Sequence, residues 1–148
     1  MEKPKFVYAT YIRTTPKKLW QALTDPAFTR QWWFGTYFKT DWKPGSPWEL
    51  IYPDGTITDT GEILEATPPR RLVLKWRNEF RPELKAEGYS RCTIEIEKTR
   101  GSAKLTVIHA MEGKGTKFIA AVSDGWPKIL SNIKSLLETG EPLAKQKL

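Results

Sequence analysis

The chain has 148 residues, 39% of them hydrophobic, a formal charge of +7, one Cys and one His. That length suits a single core, and one Cys with one His excludes both an internal disulfide framework and a zinc site built from those two residue types alone. The basic residues are spread from Lys3 to Lys147 among acids, in pairs such as Lys17-Lys18 and Arg70-Arg71 and without a recognition motif, which argues against a specific nucleic-acid partner.

In chain order, Lys5 to Arg13 (KFVYATYIR) is rich in β-branched and aromatic residues and reads as a first strand. Two helix starts follow back to back. Thr15 caps and Pro16 occupies the first helical position, with Leu19, Trp20 and Leu23 forming an apolar stripe. Asp25-Pro26 repeats the device, and a short second helix runs through Phe28 into Trp32-Trp33. Adjacent rings at a helix exit are expected to diverge, so one of these two indoles is assigned to a mouth or to the surface.

Strands are predicted around 36–40, 48–52, 56–66, 72–77, 90–97 and 103–111. Most are bounded by turn chemistry such as Lys43-Pro44-Gly45, Pro53-Asp54-Gly55 and Arg100-Gly101-Ser102. Short connections favour an antiparallel meander. Leu72, Leu74 and Trp76 alternate with Val73, Lys75 and Arg77. Cys92, Ile94 and Ile96 alternate with Thr93, Glu95 and Glu97, and Leu105, Val107, His109 and Met111 alternate with Lys104, Thr106, Ile108 and Ala110. One face is therefore apolar and the other largely wet.

The cover for the apolar face is a last helix with Trp126, Ile129, Leu130, Ile133, Leu136 and Leu137 at spacings of three and four. Its start is expected at Ser123 or Asp124, with Pro127 in the first turn, and its end at Gly140 before Pro142. Gly113-Lys114-Gly115-Thr116 lacks the spacing of a phosphate loop and reads as a flexible turn. One domain over 1–140 and a charged, frayed tail over 141–148 complete the organisation. No apolar run approaches the roughly 20 residues of a membrane span. Met1–Phe6 has no secretory-type apolar region, so a cytoplasmic protein is expected.

Taken in order, TTPKKLWQALTDPAFTRQWW (14–33), KPG and WEL (43–50), GEILEATPPRRLVLKW (61–76), SRCTIEIE (90–97), KLTVIHAM (104–111) and DGWPKILSNIKSLLE (124–138) resemble the activator-of-heat-shock-ATPase-like branch of the SRPBCC superfamily. This is the START and birch-pollen-allergen helix-grip group. The resemblance implies an α+β fold in which a curved antiparallel sheet of six or seven strands wraps a long C-terminal helix, with two short helices after the first strand. It also implies a cavity that takes apolar molecules across the superfamily and supports cyclisation or dehydration in some members. The namesake co-chaperones carry a further N-terminal domain that makes much of the chaperone contact, and 148 residues accommodate only the one domain. No catalytic residue carries over.

The inward-phased residues give a candidate ligand-binding set of Tyr8, Trp33, Leu74, Trp76, His109, Met111, Trp126 and Leu130. Trp76 and Trp126 are expected to face each other across the cavity. His109, the one titratable group on the buried phase, can hydrogen-bond a ligand, transfer protons, or be satisfied within the core. Arg77 and Arg81, in the loop after Trp76 with Glu79, are available to a weakly anionic ligand. Cys92 behaves as a small buried hydrophobe.

No catalytic residue, metal ligand or cofactor is assigned. The leading expectation is a module for a hydrophobic small molecule. A chaperone-binding module and an enzyme using His109 as acid or base are the alternatives. Exposed Trp32, Trp42 or Trp48 in one patch would favour the chaperone partner.

Overall fold

The computed structural model describes residues 3–145. Seven antiparallel strands form one sheet: β1 Lys5–Ile12, β2 Tyr37–Lys39, β3 Pro47–Ile51, β4 Ile57–Thr67, β5 Arg71–Asn78, β6 Ser90–Thr99 and β7 Ser102–Met111. The spatial order is β1-β7-β6-β5-β4-β3-β2. Strands β2 to β7 are thus a plain meander, and β1 adds to the far edge beside β7. Helices α1 (Pro16–Thr24) and α2 (Pro26–Trp32) carry the chain from one edge strand to the other. The long helix α4 (Lys117–Thr139) lies against the sheet, and the one-turn helix α3 (Pro82–Lys85) sits in the β5–β6 connection. The sequence pattern alone predicts a loop there. No helix among the described residues is long and apolar enough to cross a membrane.

Local chemistry explains most of these elements. Thr15 Oγ1 accepts from the Lys18 amide and Asp25 Oδ1 from the Ala27 amide, so each proline-led helix starts on a side-chain cap. The inward phases of β5, β6 and β7 are buried as the alternation predicts. The outer face is less wet than expected, because Val73 and Thr93, paired across β5 and β6, are both buried. Arg71 bridges Glu65 and Glu95 at 3.3 Å each, and these long side chains flank the Val73–Thr93 pair. Gly61 is required in β4, since a Cβ there would lie 1.6 Å from the Lys75 carbonyl oxygen. Its absence lets the Trp48 indole cross the strand and donate to that oxygen at 3.0 Å.

Helix α4 begins at Lys117, well before the expected cap at Ser123 or Asp124, and Pro127 therefore lies inside it. The cap is non-local. Glu87, after α3, accepts from the Lys117 and Phe118 amides at 3.0 and 2.8 Å, satisfying donors that no nearby side chain reaches. Gly115 makes room for this, because a Cβ there would come within 2.4 Å of the Glu87 side chain. The helix ends at Gly140 in the left-handed region, as expected.

The start of the tail is tied down rather than frayed. Buried Asn132 accepts from the Ala144 amide and donates to both the Ala144 and Trp32 carbonyls. Residues 146–148 of the expected tail lie outside the described residues.

Candidate functional site

Trp76, near the end of β5, stands between two polar clusters of different character. On one side its carbonyl accepts from Ser90 Oγ at 3.3 Å, Ser90 Oγ lies 2.7 Å from His109 Nε2, and His109 Nδ1 accepts from Trp126 Nε1 at 3.2 Å. The indole can only donate, so Nδ1 is the acceptor and the proton sits on Nε2, which donates to Ser90. Every polar atom of this chain is used. His109 is 0% exposed and lies against the rings of Trp76, Phe118 and Trp126. Burial pushes its pKa down to about 3, so the imidazole is neutral near pH 7. It is a satisfied core histidine, and the acid–base role considered from sequence has no support in this geometry.

On the other side, Trp76 Nε1 donates to Asp59 Oδ2 at 2.7 Å, and Asn78 Nδ2 donates to the same oxygen at 3.4 Å. None of the hydrogen bonds from the described residues reaches Asp59 Oδ1, and none of the ion pairs among them includes Asp59. Asp59 is only 8% exposed. Burial raises its pKa, opposed first by the hydrogen bond from Trp76, while the neighbouring Thr58 hydroxyl donates to the Leu50 carbonyl at 3.4 Å. Tyr52 is shifted upward too, by its own burial and then by the charges of Asp59 and Asp54.

Asp59 lines a cleft of about 780 Å³ between the β3–β5 part of the sheet, α3 and the first half of α4. Trp33, Trp76 and Trp126 form its back, with centroid separations of 5.6 to 6.5 Å. Tyr52 and the exposed Phe80, 6.3 Å apart, stand towards the mouth. Ala121, Val122, Gly125 and Ile129 supply the α4 side. A Cβ at Gly125 would meet no heavy atom within 4 Å, so the helix leaves open space there. Phe34 also lines the cleft and holds a left-handed φ of 53°.

Of the residues singled out from sequence, Trp33, Trp76 and Trp126 line this cleft. Leu74, His109, Met111 and Leu130 are buried in the core and do not line it. Tyr8 is half-buried on the edge strand β1, stacked on Phe6, apart from the others. Trp76 and Trp126 are in edge contact at 6.0 Å rather than facing across an opening.

Both Trp32 and Trp33 are buried, so neither lies on the surface, one of the two places expected for one of them; Trp33 instead lines the cleft. Trp33 has already left helical geometry (φ −110°, ψ 37°), so its ring folds back and stacks on Trp32 at 5.1 Å, while Trp32 Nε1 donates to the Ala22 carbonyl. Arg77 lies in β5 rather than in a loop and is held by both oxygens of Glu79 at 2.7 Å. Arg81 is bonded to Glu83 at 2.7 Å. Neither arginine is the open anion-binding group anticipated. Cys92 is fully buried as expected, and burial drives its thiol pKa upward.

Asp59 was missed. The signal was present, because Asp59, Gly61 and Ile63 share one phase of β4, opposite Asn78, Trp76 and Leu74. Among the described residues no cluster of His, Cys, Asp and Glu is arranged to hold a metal ion.

A family model described as activator of Hsp90 ATPase homolog 1-like protein matches residues 13–138. The fold resembles a crystal structure of an Hsp90 activator from Plasmodium falciparum, with 25% identity, a TM-score of 0.73, and coverage of 90% of this chain and 95% of that one. It also resembles CalU16 from Micromonospora echinospora (22% identity, TM-score 0.70, 85% and 71% coverage). A third likeness is the Aha1 dimer from Colwellia psychrerythraea (18% identity, TM-score 0.74, 93% and 98% coverage). No curated protein sequence matches the chain.

Proposed function

The chain belongs to the family of activator of Hsp90 ATPase homolog 1-like proteins, and we propose that it binds a hydrophobic small molecule in the cleft between the sheet and α4. The observation that carries this reading is the cleft itself. Its volume of about 780 Å³ is backed by three indoles and roofed by the small side chains of α4. Ligand sites are typically mostly apolar concavities of roughly 300–1,000 Å³ with a few polar groups.

The test is a tryptophan-fluorescence titration with neutral apolar compounds of graded size, including alkylnaphthalenes and sterols, on wild type and on Gly125→Leu. Wild type is expected to bind at least one of them. Gly125→Leu is expected to lose that binding while folding normally, since the new side chain enters open space and replaces a helical glycine. The reading fails if nothing in the panel binds, or if Gly125→Leu binds as well as wild type.

A chaperone partner is the second reading. It is supported by the family and by the likeness to the Plasmodium falciparum Hsp90 activator. The aromatic patch that would favour it is not on the surface, because Trp32 and Trp48 are buried and Trp42 is half-buried against Phe38. Val7 and Tyr11, both 54% exposed on β1, offer apolar surface for such a contact. Stimulation of a heat-shock ATPase that is lost in a Val7→Lys, Tyr11→Lys double variant would favour this reading. No stimulation by wild type would remove it.

A further inference from the structure

We propose that the cleft is built to take an organic cation, a protonated amine carried on an apolar body, with Asp59 as its counter-charge and the surrounding rings as its walls. This rests on the ligand-binding reading above and narrows it to one ligand class.

Buried charged groups in folded proteins are ordinarily paired. Asp59 is not: it makes no ion pair with a described residue, and the bonds from Trp76 and Asn78 fall on a single oxygen. None of the three cations that line the cleft pairs with Asp59: Arg81 is engaged with Glu83 and Lys128 with Asp124, and Lys145 forms none of the ion pairs among the described residues. A carboxylate that lines an aromatic cleft with one acceptor oxygen uncommitted lacks a donor, and an N–H-bearing cation supplies both the hydrogen and the charge.

The walls suit the same ligand. Trp76, Trp33, Trp126 and Tyr52 line the same cleft as the carboxyl, and cations are attracted to aromatic faces, to those of indoles most strongly. A metal ion does not fit, because no group of three or more His, Cys, Asp or Glu converges among the described residues. An anion is disfavoured by Asp59 itself and by Glu79, whose charge acts on Asp59 in the sense of a like neighbour. The desolvation of the carboxyl is already met by folding, so the ligand has to be stripped of its own water only.

The experiment compares three probes of one shape by isothermal titration calorimetry near pH 7: 1-naphthylmethylammonium, its neutral isostere 1-ethylnaphthalene, and 1-naphthoate. Wild type is expected to bind the ammonium at least tenfold more tightly than ethylnaphthalene, and naphthoate least. Asp59→Asn keeps an oxygen for the Trp76 N–H and is expected to erase the ammonium's advantage while holding ethylnaphthalene within about twofold.

Equal or tighter binding of ethylnaphthalene by wild type overturns the cation assignment and leaves the apolar-cleft reading standing. Preference for naphthoate also overturns it, as does an ammonium advantage that survives in Asp59→Asn. Failure of all three probes to bind removes both readings. Should Asp59→Asn not fold, the wild-type ratio of ammonium to isostere decides the matter alone.

Discussion

The two sides of Trp76 use similar materials to opposite ends. Towards the core, an indole N–H, an imidazole, a hydroxyl and a carbonyl form a chain from Trp126 through His109 and Ser90 to Trp76 in which each donor meets an acceptor. Towards the cleft, an indole N–H and an amide converge on one oxygen of Asp59. Both titratable groups are buried, and burial moves each towards its neutral form, the histidine downward and the aspartate upward. The difference is completeness. A satisfied buried network fixes a packing arrangement, whereas one with an acceptor to spare holds a place for something else.

Breaking the closed side gives the largest effect. His109→Ala removes a fully buried ring and strands the Trp126 N–H, and it is expected to cost about 3 kcal/mol in urea unfolding. A loss below about 1 kcal/mol would show that the chain of bonds does not hold the core together.

Proton linkage is next, and here the two sides act with opposite sign. The folded pKa of His109 lies below its unfolded value near 6.5, so the unfolded state takes up a proton first as pH falls. Stability from this group is full above pH 6.5 and declines towards pH 3, by about 3 kcal/mol at pH 4. Asp59 has a folded pKa above its unfolded one, so its contribution is present below the unfolded value near 3.8 and is lost as pH rises through the folded pKa. Unfolding free energies from pH 4 to 8 should therefore fall more steeply with acid in Asp59→Asn than in wild type. In His109→Gln the acid-side loss due to the imidazole should vanish. Identical profiles for all three proteins would contradict both assignments.

Ser90→Ala is a smaller break in the closed chain. It leaves the His109 Nε2–H without its acceptor and should cost about 1–2 kcal/mol in the same assay. Asp59→Asn comes last. Removing an unpaired buried carboxyl should leave stability near pH 7 unchanged or raise it by up to about 1 kcal/mol, the opposite sign to the Ser90 and His109 variants. A loss of 2 kcal/mol or more would make Asp59 a structural residue and not an open one.

The sheet was legible because its strands alternate cleanly and end at turn residues: β5, β6 and β7 bury the residues that period two places inward. The start of α4 was not, because its cap is Glu87, distant in sequence, and cap grammar is local. The site was half legible. Trp33, Trp76 and Trp126 stood out as large inward aromatics, and they line the cleft. His109 drew attention by being unique, but whether an imidazole is open or satisfied depends on cross-strand and helix partners that no local pattern encodes. Asp59 was passed over because a polar ITDTG segment reads as a wet strand, although its phase with Ile63 places it inward.

The most direct test of this division of roles is an NMR titration of the imidazole nitrogens, unambiguous because the chain contains one histidine. His109 is expected to remain the neutral Nε2–H tautomer from pH 8 down to about pH 4, with Nδ1 as acceptor throughout. An imidazole that titrates near pH 6.5, or that carries its proton on Nδ1, would contradict the closed network and return the histidine to the candidate site.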